Sequence, residues 1–286
     1  MRRAVATAAG LAILCAPAFA DEAEAAAPQP EGAVMRPLWE FGIGVAALRL
    51  PDYRGSDQSS TLWLPLPYGV YRGKWLRADR EGARAVLFDA RSVEVDLSLA
   101  ASPPTRSKDD SARAGMPDLK PALEIGPNVN LTLMRSDDRK LKLDLRLPVR
   151  AAFTLQSSPK AIGVTFAPNL NLDLVEVGGG WNIGLLTGPV FADQRYHNRL
   201  YGVDAAFATP QRGAYRAGGG YSGWQSVASV SRRFNGLWFG AFARHDALRG
   251  AAFSDSPLIR RDNAVTLGFG VSWVLKTSSE LVAAQE

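Results

Sequence analysis

The chain contains very few cysteine and histidine residues, so it has few side chains for disulfides, metal binding or nucleophilic catalysis. Its 286 residues include one cysteine, Cys15, and two histidines, His197 and His245. A single cysteine cannot form an internal disulfide, and Leu14 stands where a lipidated cysteine needs a small neighbour. Neither histidine has a second His or Cys at ligand spacing, so the sequence predicts no zinc site. We expect no metal and no cofactor.

Long apolar runs and blocks of one charge are also missing. Beyond residue 20 no apolar run reaches the roughly 18 residues of a membrane-spanning helix, which excludes a helical membrane protein. The net charge is +5, from 33 Lys and Arg against 28 Asp and Glu. These charges are interspersed, a pattern that argues against nucleic-acid binding. Gly178-Gly179-Gly180 is not followed by Lys and Ser or Thr, so it predicts a turn and not a phosphate loop.

The first twenty residues resemble a secretory signal. Arg2 and Arg3 precede an apolar stretch at 4–19, which ends in the A-x-A cleavage site Ala18-Phe19-Ala20. We therefore predict a signal peptide at 1–20. The following segment, 21–37, is rich in alanine and proline and predicts a disordered periplasmic leader.

From residue 38 onward, apolar and polar residues alternate with a period of two. The clearest stretch is 140–153, whose apolar face consists of Leu141, Leu143, Leu145, Leu147, Val149, Ala151 and Phe153. A helix would scatter these residues around its axis, whereas a strand puts them on one face. The same alternation recurs over 93–99, 123–133, 162–174 and 265–273. The sequence therefore predicts an all-β protein.

Strand length favours one β architecture over another. Several stretches reach the roughly 9 to 11 residues that cross a membrane at a tilt, whereas strands of soluble sheets usually have about 5 to 6. Together with export, this length predicts an antiparallel transmembrane β-barrel at 38–275, followed by a polar tail at 276–286. A soluble β-sandwich is the alternative, since its core could use the same apolar face.

Connection lengths predict the number of strands. Long connections at 51–60, 102–118, 193–218 and 249–262 fall at one end of a barrel of about twelve strands. The predicted strands are 38–49, 61–71, 74–80, 83–88, 92–101, 119–134, 139–154, 161–176, 180–192, 219–234, 237–248 and 263–275. The third and fourth are short and polar, so ten strands is the alternative.

Four segments stand out against this alternation. They contain Pro51, Tyr53, Gly55 and Ser56; Pro67 and Tyr68; Tyr201, Gly202 and Tyr215; and Leu248, Ser256 and Pro257. In this order they resemble the MltA-interacting protein/OmpV family of outer-membrane proteins. The resemblance runs from about residue 39 to 275. Relatives commonly end on an aromatic residue, whereas here Trp273 is followed by the polar tail.

The resemblance implies a function as well as a fold. It implies a structural or scaffold barrel in the Gram-negative outer membrane, surrounded by outer-membrane lipid. The family's namesake is thought to connect a murein lytic transglycosylase with a penicillin-binding protein, and other relatives are described as surface antigens or adhesins. No catalytic residue is attributed to the family, so none is implied here.

The polar face of the strands tests whether the barrel is open. With a turn centred on Asp137, Glu124 faces Arg150, and Asp173 can face Lys142 from the next strand. Opposite charges paired across the inner wall predict a filled lumen. A narrow small-solute channel is the alternative function.

An outer-membrane lipid hydrolase is a third, less favoured function. His245 near a strand end, with Ser229 or Ser231 on the preceding strand, could imitate a Ser/His pair. The plainer interpretation is an interfacial histidine beside Arg244 and Asp246. The tryptophans predict belts at the membrane interfaces; they are Trp39, Trp63, Trp75, Trp181, Trp224, Trp238 and Trp273.

Overall fold

The structure is a computed structural model that describes residues 35–79, 82–90 and 92–283. The predicted signal peptide and most of the predicted leader lie outside these residues. The strands are β1 (Met35–Pro37), β2 (Trp39–Pro51), β3 (Ser59–Arg72), β4 (Leu76–Asp79), β5 (Gly82–Asp89), β6 (Val93–Ser102), β7 (Ala122–Arg135), β8 (Leu141–Thr154), β9 (Ala161–Phe166), β10 (Asn169–Glu176), β11 (Trp181–Ala192), β12 (Gly220–Phe234), β13 (Leu237–Ala247), β14 (Asn263–Thr277) and β15 (Leu281–Ala283).

The helical segments are short. They are α1 (Val177–Gly180), α2 (Gln194–Tyr201) and two 3-10 turns, Ser107–Asp109 and Ala205–Phe207. α1 is a turn in practice, because Gly178 and Gly179 have φ angles of 52° and 91°. Among the described residues, no helix has the length and apolarity to cross a membrane.

The sheet from β2 to β14 closes on itself. Sequential strands pair antiparallel, β14 pairs with β2, and both β9 and β10 pair with β8 and with β11. β9 and β10 therefore share one place in the wall, interrupted where Pro168 has no N–H for the ladder. The wall has twelve strand positions, which confirms the predicted twelve-strand antiparallel barrel. The ten-strand alternative is wrong, because β4 and β5, although short, are part of the wall.

On most strands the apolar side chains point outward; β3 is the exception, since Leu66 and Tyr68 lie on the same inward face as Arg72. On β14 the outward residues Phe269 and Trp273 are 42% and 55% exposed, while the inward Ser272 is 0% exposed. On β2, Ile43 is 56% exposed and the inward Glu40 only 3%. A soluble sandwich would bury its apolar face, so the sandwich alternative is wrong.

The two ends of the barrel differ. The connections 52–58, 103–121, 193–219 and 248–262 all leave from one end, which we call the loop end. The opposite end, the turn end, carries short turns such as 136–140 and 235–236. Transmembrane barrels carry their long loops on the outer side and their short turns on the periplasmic side.

Parts of the predicted leader and tail are paired with each other at the turn end. β1 lies antiparallel to β15, with Met35 opposite Ala283, and Leu38 N donates to Glu280 O over 2.9 Å. The prediction of a disordered leader is thus wrong for 35–37. The polar tail is not a free extension either, because β14 runs on to Thr277 and β15 follows.

Candidate functional site: a packed cap and a charged lumen

The four long connections pack against one another over the loop end. Their apolar side chains form one buried cluster, which we call the cap, made of Tyr53, Ala112, Leu119, Tyr201, Val203, Ala217, Leu248, Ala251, Phe253 and Leu258. Every connection contributes to it. A shared core fixes the four connections relative to one another, because none can move without exposing the apolar surface of the others.

Two stacked rings form the centre of the cap. Tyr201 and Phe253 lie 3.6 Å apart between ring centroids with 13° between their planes, and Tyr53 meets Tyr201 edge-on at 6.4 Å. The Tyr53 hydroxyl donates to Leu258 O over 2.6 Å. Burial raises the pKa of Tyr201 to about 12, so this phenol stays neutral at all ordinary pH values.

Serine hydroxyls join the connections to one another. Ser56 Oγ donates to Asp110 Oδ2 over 2.6 Å, which links 52–58 to 103–121. Ser256 Oγ donates to Tyr201 O over 2.7 Å, which links 248–262 to 193–219. Both hydroxyls are buried, so each bond satisfies groups that water does not reach.

A buried guanidinium fills the space between the second and third connections. Arg113 is 2% exposed and donates from Nη1 to Leu200 O over 3.0 Å and from Nη2 to Pro117 O over 3.3 Å. Its guanidinium carbon lies 5.8 Å from the centre of the Tyr53 ring. Burial lowers the pKa of Arg113, although an arginine keeps its charge at neutral pH. The side chain acts as a polar cross-link.

A buried histidine ties α2 to the barrel wall. Asp193 caps the helix by accepting from Tyr196 N over 2.8 Å. His197, 1% exposed, then places Nδ1 2.7 Å from Gly218 O and Nε2 2.6 Å from Ser222 Oγ. Since a carbonyl can only accept, Nδ1 carries the hydrogen and Nε2 accepts from the serine. Burial lowers the pKa of His197.

α2 also closes down onto the lumen. Gly163 of β9 has φ +137°, and a Cβ there would lie 2.7 Å from Tyr196 N, so only glycine lets the helix approach this strand. The Tyr196 hydroxyl then donates into the barrel, to Glu124 Oε1 over 2.8 Å. The cap is thereby joined to the lumenal wall.

Most of the residues that carry the family resemblance lie in the four connections that form the cap. Tyr53, Gly55, Ser56, Tyr201, Gly202, Tyr215, Leu248, Ser256 and Pro257 all belong to its four connections. Pro51 ends β2, directly before the first of them. Pro67 and Tyr68 lie apart from the cap in β3, where Tyr68 points inward and its ring is 5.8 Å from that of Trp238. The cap as a unit was not predicted, although apolar residues in every long connection were a signal for it.

Glu124 and Arg150 do not lie directly opposite each other, as the predicted turn required. Pairing of β7 with β8 starts beyond a turn at 136–140 and includes a bulge between Thr132 and Met134, so Glu124 lies opposite Ala152. Arg150 Nε donates instead to Ser98 Oγ over 2.9 Å. Glu124 accepts from Tyr196 of α2, as described above.

The second predicted lumenal pair is part of a larger network. Lys142 and Asp173 lie opposite each other in the register of β8 and β10. Lys142 Nζ is 2.9 Å from Asp144 Oδ2, while Arg146 Nη2 is 3.5 Å from Asp173 Oδ2 and 3.7 Å from Asp144 Oδ2. Asp144 is 0% exposed, so both cations serve to neutralise a buried carboxylate.

Further ion pairs line the lumen at the turn end. Arg72 Nη2 lies 2.9 Å from Glu40 Oε1. Arg77 contacts Asp89 over 2.8 Å and Glu94 over 2.7 Å. Both signs of charge are therefore paired along the inner wall, in place of the ring of one sign that selects ions in a channel.

The Ser/His geometry considered for a hydrolase does not form. Ser229 lies opposite Phe242 and Ser231 opposite Gly240, on the inward face, whereas His245 points outward and contacts Asn263 Oδ1 over 3.0 Å. The wall separates the serines from the imidazole. In the described ranges, no group of three or more His, Cys, Asp or Glu side chains is placed to hold a metal ion.

Tryptophans form two belts on the outer surface. Trp39, Trp75, Trp181 and Trp273 lie toward the turn end, and Trp63 and Trp224 lie toward the loop end. Such belts mark the two interfaces of a membrane. Trp238 was expected in a belt but points inward, because it lies opposite the buried Ser272.

Comparison with known proteins identifies one family, and the solved structures that match include two outer-membrane proteins of low identity. The family model described as MltA-interacting protein MipA matches residues 43–275. A bacterial polysaccharide outer membrane secretin is 8% identical with a TM-score of 0.41, covering 83% of this chain and 99% of its own. The Ralstonia pickettii toluene transporter TbuX is 10% identical with a TM-score of 0.24, covering 85% and 70%. No curated protein matches.

Proposed function

We propose that this chain, which belongs to the MipA family, is a closed scaffold whose turn end binds a peptidoglycan-remodelling enzyme. The Gram-negative outer-membrane location follows from the family and from the twelve-strand barrel. The family's description, MltA-interacting protein, suggests a murein lytic transglycosylase as one partner. A penicillin-binding protein is the second partner that we propose.

The packed cap is the observation that carries the closed-scaffold proposal. An open channel needs a continuous aqueous path, but here four connections share a buried core around Tyr201 and Phe253. Below it, ion pairs such as Arg77 with Glu94 cross-link the inner wall. Opening the cap would expose apolar groups that are now buried, and breaking the ion pairs would leave charged groups of the wall without partners.

The turn end offers a surface suited to a periplasmic partner. β1 and β15 pair with each other through one edge each, and among the described residues no strand covers their other edges. Met35 and Leu281 are 39% and 53% exposed there. The uncovered edge of β15, flanked by an apolar side chain, can accept an extended peptide as a further strand, whereas on β1 Pro37 O already accepts from Arg72.

A binding experiment tests this proposal. The purified full-length barrel is immobilised, and a soluble form of a membrane-bound lytic transglycosylase is passed over it. Deletion of 278–283, which removes β15, should weaken binding at least about tenfold, a loss of about 1.4 kcal/mol. The matched control is Arg216→Gln, an exposed change at the loop end, which should leave binding intact.

Two outcomes count against the proposal. If neither the transglycosylase nor a penicillin-binding protein binds the wild type, the scaffold role is wrong. If binding survives the deletion but is lost in Arg216→Gln, the partner docks at the loop end. A shift in gel mobility on boiling shows in each case that the barrel itself is folded.

A further inference from the structure

The outer wall carries an apolar groove at the turn end. The groove has a volume of about 520 Å³ and is lined by Val177, Gly178, Trp181, Ile183, Val230 and Phe239. It runs between the turn of α1 and the outward face of β11, β12 and β13. Its size falls within the range of about 300 to 1,000 Å³ typical of small-molecule sites.

One cation stands at the edge of this groove. The guanidinium carbon of Arg232 lies 5.3 Å from the ring centre of Trp181 and 4.2 Å from that of Phe234. Arg232 points outward, since it pairs with Trp181 in the register of β11 and β12. Among the described residues, no carboxylate lies within ion-pair distance of Arg232. Stacking on two rings holds the guanidinium in place while leaving its N–H groups available.

The position of Arg232 along the barrel wall determines which part of the membrane its guanidinium can contact. Trp181, beneath it, belongs to the tryptophan belt of the turn end, so the guanidinium lies at the level of lipid headgroups. The turn end faces the periplasm, where the membrane leaflet is made of phospholipid. At that level the guanidinium can bind a lipid phosphate, and the adjacent apolar groove can hold an acyl chain of the same lipid.

The turn that borders the groove leaves room for a headgroup. A Cβ on Gly178 or Gly180 would meet nothing within 4 Å, and one on Gly179 would meet only Arg232 Nη2, at 3.9 Å. Three successive glycines therefore place no side chain between the guanidinium and the membrane. Their positive φ angles, 52°, 91° and 90°, also explain why glycine is needed for the turn itself.

We propose that this groove is a binding site for an anionic phospholipid of the periplasmic leaflet. The phosphate accepts hydrogen bonds from Arg232, and one acyl chain lies along Trp181, Ile183 and Val230. The site is independent of the scaffold proposal, since it lies on the lipid-facing wall and uses neither the cap nor β15.

Native mass spectrometry tests the site directly. The full-length barrel is mixed with equal amounts of phosphatidylglycerol and phosphatidylcholine that carry the same acyl chains. Wild type should retain phosphatidylglycerol over phosphatidylcholine by about fivefold, as expected for one interfacial arginine. Arg232→Gln should bring this ratio close to one. Arg135→Gln, which removes an exposed arginine at the same end of the barrel, should keep the wild-type ratio.

A second measurement uses the unchanged protein. Phosphatidylglycerol with a photoreactive group in its acyl chain should label peptides that contain 177–183 and 230–239. The proposal is overturned if wild type shows no preference between the two lipids, if Arg232→Gln retains it, or if the label falls elsewhere on the wall.

Discussion

Tyr201 and Phe253 stack at 3.6 Å in the centre of the cap, although 52 positions separate them in the chain. Both rings are almost fully buried, at 1% and 0% exposure. The stack joins the third long connection to the fourth, and Tyr53 brings in the first from the side. The cap is therefore a small hydrophobic core built from loops, and its integrity rests on these rings.

Phe253→Ala should loosen the cap without unfolding the barrel. Truncating a fully buried phenylalanine costs about 3 to 5 kcal/mol, because the cavity it leaves closes only in part. We expect faster proteolytic cleavage within 193–219, measured on the purified protein, together with unchanged heat-modifiable mobility. The control Phe269→Ala removes a ring from the lipid-facing surface and should leave cleavage of the cap at the wild-type rate.

Acid should loosen the cap through His197. Its pKa lies below the ordinary value near 6.5, chiefly because the ring is buried; the hydrogen bond to Gly218 O raises the pKa, Arg54 lowers it and Asp193 raises it, and burial outweighs them. The folded cap therefore favours the neutral imidazole. The corresponding stabilisation is present above pH about 6.5 and is lost as the pH falls toward the folded pKa.

Limited proteolysis at pH 7.5 and pH 5.5 measures this loss. Cleavage within 193–219 should be faster at the lower pH in wild type, and the difference should vanish in His197→Gln. His245→Gln, at an exposed histidine, should keep the wild-type dependence. Equal pH dependence in wild type and His197→Gln would show that another group controls the cap.

The two faces of β12 should respond differently to charge. Ala228 points outward to lipid and Ser229 inward to the lumen, and both are exposed. Ala228→Arg should cost about 2 to 4 kcal/mol of folding free energy near the middle of the membrane, and Ser229→Arg much less. Urea titration of the barrel in vesicles measures both. Equal losses would mean that the assigned faces are wrong.

His245→Ala should leave every activity of the protein unchanged. The imidazole lies on the outer surface with Asn263, across the wall from Ser229. A Ser/His hydrolase would lose orders of magnitude in rate on the same change. Release of fatty acid from outer-membrane lipid, compared between wild type and variant, checks this; any loss would reopen the enzymatic alternative.

The sequence was sufficient to predict the strands and faces of the barrel wall, but it was not sufficient to predict the register between neighbouring strands. Alternation over 140–153 assigned the two faces of β8 correctly, because a period of two leaves only one choice of face. The partner of Glu124 was displaced by two residues, since neither the turn at 136–140 nor the bulge after Thr132 leaves a strong mark in the sequence. Trp238 shows the same limit: aromatic character predicts an interface, but only pairing reveals that it faces Tyr68 inside.

The alternating pattern of apolar and polar residues could not predict the cap. Tyr53, Leu119 and Phe253 are far apart in the chain, and loops follow no repeat that would indicate a shared core. The motifs of the family resemblance lie in the same connections, but the sequence did not show what their residues contact. Their residues, such as Ser56 and Ser256, prove to be those that join one connection to another.

Conductance across a planar lipid bilayer tests the closed barrel most directly. With a general porin as positive control in the same apparatus, the purified wild-type protein should insert and show no steady conductance, because the cap covers one end and lumenal ion pairs cross-link the wall. Glu124→Gln removes a carboxylate that holds Tyr196 of α2. Reproducible single-channel steps in wild type that change in size with Glu124→Gln would contradict the closed scaffold and identify the protein as a channel.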